Sequence, residues 1–163
     1  MRSVACAAAS GQLWVMEMGP LGGDELNVIA AGKNYGWPIV SNGDNYDSST
    51  IPDHPAHKEF EAPIRSWTPV ISPSRMLFYG GSLFPAWRGK VLVGGLSSQA
   101  IVRLTVDGTR IANEERIAMR RRIRDVIEAP DGAVLVLVDA KSGELLRLTP
   151  QAARPAAAPV RRR

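Results

Sequence analysis

Arg122 and Arg124 are separated by a single residue. Side chains alternate along a strand, so this spacing puts both guanidinium groups on one face and Ile123 on the other. Two convergent guanidinium forks suit carboxylates, phosphates or a developing oxyanion. A solvated basic face shared with Arg120 and Arg121 would use the same residues. Far upstream, Gly19-Pro20 joins a residue of wide backbone freedom to one with fixed φ and no N–H. Such a pair aims two carbonyl oxygens at one point, a donor set that suits Ca²⁺; it equally makes an ordinary tight turn. Glu25 and Tyr35 flank a strand and a turn, ten residues apart, with Asp24 beside the first. Without further information, Asp24 and Glu25 read as a solvated edge, and Tyr35 and Trp37 as core. His54 and His57 lie in the proline-rich run from Ile51 to His57, with no repeated ligand pattern. They are expected to be solvated loop histidines. Gly22-Gly23 lacks both the following helix and the Lys-Ser/Thr closure of a phosphate-cradling loop.

The elements that must position these residues are short strands. Gln12–Glu17, Asp24–Ala30, Trp67–Pro73, Met76–Tyr79, Lys90–Gly94, Ala100–Val106, Arg110–Met119, Arg122–Ala129, Ala133–Asp139 and Glu144–Thr149 carry β-prone or alternating residues between Gly, Pro and Asp turns. Asn42–Ala62 reads as a long polar loop, and Val4–Ala9 as part of a core strand too short for a secretory signal. No apolar stretch holds a 3.6-residue period beyond two turns, so the class is all-β.

Composition agrees. The chain has 163 residues, 45% hydrophobic and 22% charged, which is an ordinary globular mix. Its single cysteine excludes an internal disulfide framework. The net charge of +4 equals the four arginines of the last thirteen residues, Arg154, Arg161, Arg162 and Arg163, which carry no acid beside them. The body is therefore neutral, and charge gives no argument for nucleic-acid binding. Residues 151–163, rich in Ala, Pro and Arg, are expected to form a disordered tail on a folded domain spanning 1–150. Within the body, Gly89-Lys-Val-Leu-Val, followed by Ile101-Val-Arg-Leu-Thr, returns as Gly132-Ala-Val-Leu-Val, followed by Leu145-Leu-Arg-Leu-Thr. Gly11-Gln-Leu-Trp-Val resembles the same opening. A repeat of about 40–45 residues built of four short strands is a β-propeller blade, and the body holds three to four of them. An open arc of that size leaves sheet edges that require cover.

Four segments in order carry a more specific resemblance: Met18 to Asn27 (MGPLGGDELN), Gly32 to Pro38 (GKNYGWP), Leu83 to Gly89 (LFPAWRG), and Arg122-Ile-Arg-Asp-Val followed by Ala129-Pro-Asp-Gly132. Together they resemble the soluble pyrroloquinoline-quinone (PQQ) dependent sugar dehydrogenases of the glucose/sorbosone dehydrogenase family, particularly the aldose sugar dehydrogenase branch. The resemblance implies a partial six-bladed β-propeller and oxidation of aldose sugars at the anomeric carbon to lactones, with PQQ and Ca²⁺ as cofactors. It implies that the Gly19 and Pro20 carbonyls hold the calcium that polarises PQQ, and that Glu25 and the Tyr35 carbonyl serve a second calcium. Arg122, Arg124 and Tyr46 would contact PQQ. Ser97 falls where some members carry a cofactor-contacting lysine. The family's histidine base lies in its N-terminal half, and neither His54 nor His57 matches it. The chain is thus expected to be the C-terminal part of such an enzyme, inactive alone, its blade edges covered by an N-terminal half or a second copy. Family members are typically periplasmic.

Overall fold

The computed structural model describes residues 2–7 and 11–151, with only the backbone for the first six. Apart from Gln151, the expected tail lies outside the described residues. Thirteen strands are described: β1 (Arg2–Ala7), β2 (Gln12–Glu17), β3 (Leu21–Gly22), β4 (Asp24–Val28), β5 (Gly43–Asp44), β6 (Arg65–Trp67), β7 (Pro73–Phe78), β8 (Val91–Gly95), β9 (Ala100–Asp107), β10 (Arg110–Ala118), β11 (Ile123–Glu128), β12 (Val134–Val138) and β13 (Leu145–Leu148). Two single 3-10 turns, His54–Ala56 and Pro85–Trp87, complete the described elements.

The strands form successive antiparallel meanders: β1-β2-β4-β6, then β7-β8-β9-β10, then β11-β12-β13. A two-stranded ribbon, β3 with β5, is inserted in the first. The first strands of the three sheets adjoin, β7 lying against both β1 and β11. These are the blades of a propeller arc. The internal repeat marks the same place in each blade. Gly11, Gly89 and Gly132 precede the second strand of sheets one, two and three, and all have positive φ (+66°, +76° and +85°). Glycine enters that region without the Cβ penalty, which is why the blade opening starts with it each time.

The inner strands of the middle sheet are buried on both faces, and β8 shows it in its sequence. Along β8, Val91 and Val93 join one apolar cluster with Trp14, Met16 and Leu26 of the first sheet. Leu92 joins a second cluster with Ile123, Val126, Val134 and Val136 of the third. The continuous run Val91-Leu92-Val93 is therefore a period-two pattern serving two cores at once. Gly94 is glycine because β11 crosses there: a Cβ would stand 2.9 Å from Ile123 Cγ2 and 2.8 Å from Ser74 Oγ.

Single polar side chains tie the seams. Asp24 at the start of β4 accepts N–H bonds from Gly19 at 3.0 Å, Ile71 at 2.8 Å and Ser72 at 2.7 Å. It thereby joins the first sheet to the loop entering the second. Ser74 Oγ on β7 lies 2.7 Å from the carbonyl of Ile123 on β11. The Tyr79 hydroxyl donates to Gly132 O at 2.6 Å and accepts from Phe84 N–H at 3.1 Å.

Two local expectations are corrected. The run Trp67–Pro73 is not a strand: β6 ends at Trp67, and the chain crosses to β7 through Thr68–Ser72, whose Ile71 and Ser72 N–H groups go to Asp24 instead of a ladder. The polar stretch 42–62 is mostly loop, but its Gly43–Asp44 pairs with Leu21–Gly22.

Candidate functional site

The turn after β2 and the ribbon that follows it shape the principal cavity. Glu17 and Glu25 are directly opposed in the β2–β4 register, and beyond them the chain turns through Gly19-Pro20 into the ribbon. The ribbon folds tightly, because Gly19 sits against the carbonyl oxygens of Gly22 and Gly23, where a Cβ has no room. The result is a cavity of about 450 Å³ bounded by Gly19, Pro20, Glu25, Tyr35 and Tyr46, with Glu17, Trp37 and Asn45 also on its wall. That volume suits a small organic ligand. Five residues named from the sequence as metal or cofactor contacts therefore meet on one concave surface.

The remaining three, Ser97, Arg122 and Arg124, do not line this cavity. They do lie at the same end of the arc. The end of β2 and start of β4, the end of β8 and start of β9, and the start of β11 and end of β12 are paired in register. The Asp24 and Ser74 seams bring these three rims to the same end of the arc. Ser97 is exposed in the β8–β9 loop and donates to the Val70 carbonyl at 3.0 Å. Arg122 and Arg124 sit at the entry to β11, where a bulge falls between Ile123 and Asp125. Even so, they point the same way. Both guanidinium groups reach one oxygen of Asp139, Arg122 at 2.9 Å and Arg124 at 3.1 Å, while Ile123 is buried on the opposite side. Hydrogen bonds from Arg122 and then Arg124 hold the Asp139 carboxyl below its ordinary value of 3.8.

The electrostatics inside the cavity favour a cation. Burial raises the Glu25 carboxyl above 4.5, and the facing Glu17 charge pushes in the same direction. Asn27 donates weakly to Glu25 at 3.4 Å, and its own Oδ1 is buried without a partner. The Glu17 and Glu25 carboxylates, with the Gly19 and Pro20 backbone on the same wall, offer hard oxygen donors of the kind a divalent ion takes. The Tyr35 carbonyl already faces His54 Nε2 at 3.2 Å, but a carbonyl oxygen has a second lone pair. Among the described residues no three His, Cys, Asp or Glu side chains gather at one point, so an ion here would draw on backbone carbonyl oxygens as well.

Three sequence readings change. Asp24 is not a solvated edge but a buried carboxylate, 1% exposed. Burial raises it above 3.8, and backbone N–H bonds from Ser72, Gly19 and Ile71 pull against that rise. His54 is not a solvated loop histidine. It is 5% exposed, bound to the Tyr35 carbonyl, with Nδ1 buried and unpartnered. A contact across 19 residues gives no local signal in the sequence. His57 does stay near the surface, 2.9 Å from Glu59. Trp37, read as core with Tyr35, is instead 59% exposed on the cavity wall.

Comparison with known proteins decides the family. The family described as Glucose / Sorbosone dehydrogenase matches residues 1–147, nearly the whole body. The chain belongs to the glucose/sorbosone dehydrogenase family. It is 40% identical over 148 residues to the aldose sugar dehydrogenase YliI of Escherichia coli (strain K12), covering 87% of this chain and 39% of that protein. It is 26% identical over 193 residues to quinoprotein glucose dehydrogenase B of Acinetobacter calcoaceticus, covering 83% of this chain and 40% of that one. A crystal structure of glucose dehydrogenase superposes with a TM-score of 0.84 at 39% identity, covering 91% of this chain and 44% of the other. The chain thus spans about two-fifths of the length of each of these relatives.

Proposed function

We propose that this glucose/sorbosone dehydrogenase family chain forms the calcium- and arginine-bearing part of a PQQ-dependent enzyme that oxidises an aldose at its anomeric carbon to the lactone. The observation that carries the reading is the common end of the sheets. The Gly19-Pro20 turn with its carboxylate cavity opens at the same end of the arc as two guanidinium groups that already converge on one carboxylate oxygen. Bound PQQ would take the two electrons of the anomeric C–H bond, with calcium polarising its quinone.

The chain's own residues have separable tasks. The Gly19 and Pro20 carbonyls hold the ion that meets the cofactor, while Glu25 and the Tyr35 carbonyl serve a second, structural ion. Arg122 and Arg124 bind carboxylates of the cofactor. Asp139 keeps them aimed together, each guanidinium retaining further N–H donors. Tyr46 and Ser97 contact the cofactor from the two sides of the rim. The base that takes the anomeric proton is not supplied by this chain: His54 is buried against Tyr35, and His57 pairs with Glu59. Further propeller blades, on an N-terminal half or a second copy, cover the open sheets, and the assembly works in the periplasm.

The test is a chimera that joins the preceding blades of the Escherichia coli relative to this chain, assayed by dye reduction with glucose. Turnover that requires both PQQ and Ca²⁺, falls by roughly two orders of magnitude or more in Arg124→Ala, and is absent from this chain alone supports the reading. Robust turnover by this chain alone, or a folded chimera indifferent to PQQ, overturns it.

A further inference from the structure

Trp37 and Tyr46 are 59% and 81% exposed, yet both line the principal cavity. Large rings are seldom left in water at the mouth of a concave site without a ligand to meet. Among the described residues neither ring stacks on another aromatic ring, and neither the indole N–H nor the phenol O–H is hydrogen-bonded. The Trp37 loop is nonetheless held firmly. Gly36 takes φ +92° with Val40 packed where its Cβ would stand, its N–H goes to Asn34 Oδ1 at 2.9 Å, and its carbonyl accepts from Ile39 and Val40. The indole is thus presented outward on a fixed backbone. On the same wall stand the exposed side chain of Asn45 and the buried side chain of Ser41.

An aromatic face above a set of oxygen acceptors and amide donors matches one ligand chemistry. A pyranose ring has a face of axial C–H bonds that stacks on π-systems and a rim of hydroxyls that hydrogen-bonds. We propose that Trp37 and Tyr46 form a stacking clamp for the C–H face of an aldopyranose, fixing the sugar at the mouth of the cavity. This inference rests on the sugar reading above and adds the residues that select the substrate. Tyr46 is also placed against the cofactor above, so Trp37, which is not, carries the part of the test that the cofactor reading does not share.

Saturation-transfer NMR on this chain with D-glucose and D-galactose reads the contact directly. The expected result is one-sided transfer, strongest to the axial protons on a single face of the ring. Trp37→Leu and Tyr46→Leu remove the π-face but keep apolar bulk, and each should weaken sugar affinity about tenfold, while Trp37→Phe keeps part of it. Both positions are exposed, and far-ultraviolet circular dichroism confirms that the variants fold. No transfer in the wild type, transfer spread evenly over both faces, or leucine variants with unchanged affinity overturns the clamp. A PQQ titration on the chimera described above separates the two readings. PQQ uptake with sugar binding indifferent to Trp37 defeats the clamp alone; one-sided sugar contact without PQQ uptake defeats the redox reading alone.

Discussion

Asp24 is the residue on which the site's geometry hangs. A buried carboxylate is unfavourable unless it is well bonded, and here three backbone N–H groups from two different loops meet it. Asp24→Ala leaves those donors without their acceptor and should destabilise the protein by about 3 kcal/mol in urea unfolding. Asp24→Asn retains an acceptor and should lose less. The pH dependence follows from the raised carboxyl. Folded Asp24 holds its proton above 3.8, so the folded state binds more protons there than the unfolded chain. That contribution is fully present below 3.8 and is withdrawn as pH rises through the folded value. Urea midpoints at pH 4 and pH 7 should therefore show the wild type losing ground against Asp24→Asn as pH increases. A gap that widens in the opposite direction would remove burial as the dominant influence. The sequence shows Asp24 in a turn-rich segment but not its partners, because Ile71 and Ser72 are 47 and 48 residues away.

At the scale of elements, the blade is written in glycine and in alternation, and that much was legible. The matched openings at Gly89 and Gly132 place β8 and β12 in equivalent positions, and Gln12–Glu17 is a strand with the expected bounds. The two glycines differ in what surrounds them. A Cβ at Gly89 would meet nothing within 4 Å, whereas at Gly132 it would stand 3.1 Å from Leu83 N and 3.2 Å from Leu83 Cβ. Gly89→Ala should cost about 1 kcal/mol from backbone conformation alone. Gly132→Ala should cost about 1–2 kcal/mol more, because it also presses on the turn and on the Tyr79–Gly132 bond. Equal losses in a paired denaturation experiment would show that the seam tolerates displacement. The rest was hidden for a physical reason. Whether an aromatic such as Trp37 goes to core or cavity depends on which loop closes over it, and local pattern does not encode that. The arginine pair was legible as a pair but not as a pair bound to Asp139.

The whole molecule is asymmetric in its cover. The inner strands of the middle sheet are enclosed on both faces, but the third sheet shows solvent a face with Ile127, Leu137 and Leu145 all exposed. On β12 and β13, Leu137 and Leu145 are direct cross-strand partners, so the patch is continuous. A contiguous apolar face of this kind associates. This chain by itself should show a light-scattering mass that rises with concentration, and the double variant Leu137→Lys, Leu145→Lys should stay monomeric with its fold intact. A monomeric wild type would mean that the patch is tolerated bare.

The seams have a mechanical consequence. Between the sheets the joints rest on apolar side-chain packing and a few side-chain hydrogen bonds, among them those of Asp24, Ser74 and Tyr79. Within each sheet the ladders run strand to strand without interruption by another sheet. Stretched from its ends, such an arc gives way at the joints first, releasing length in whole-blade increments, so a pulling trace should show a few large steps and not a gradual unravelling.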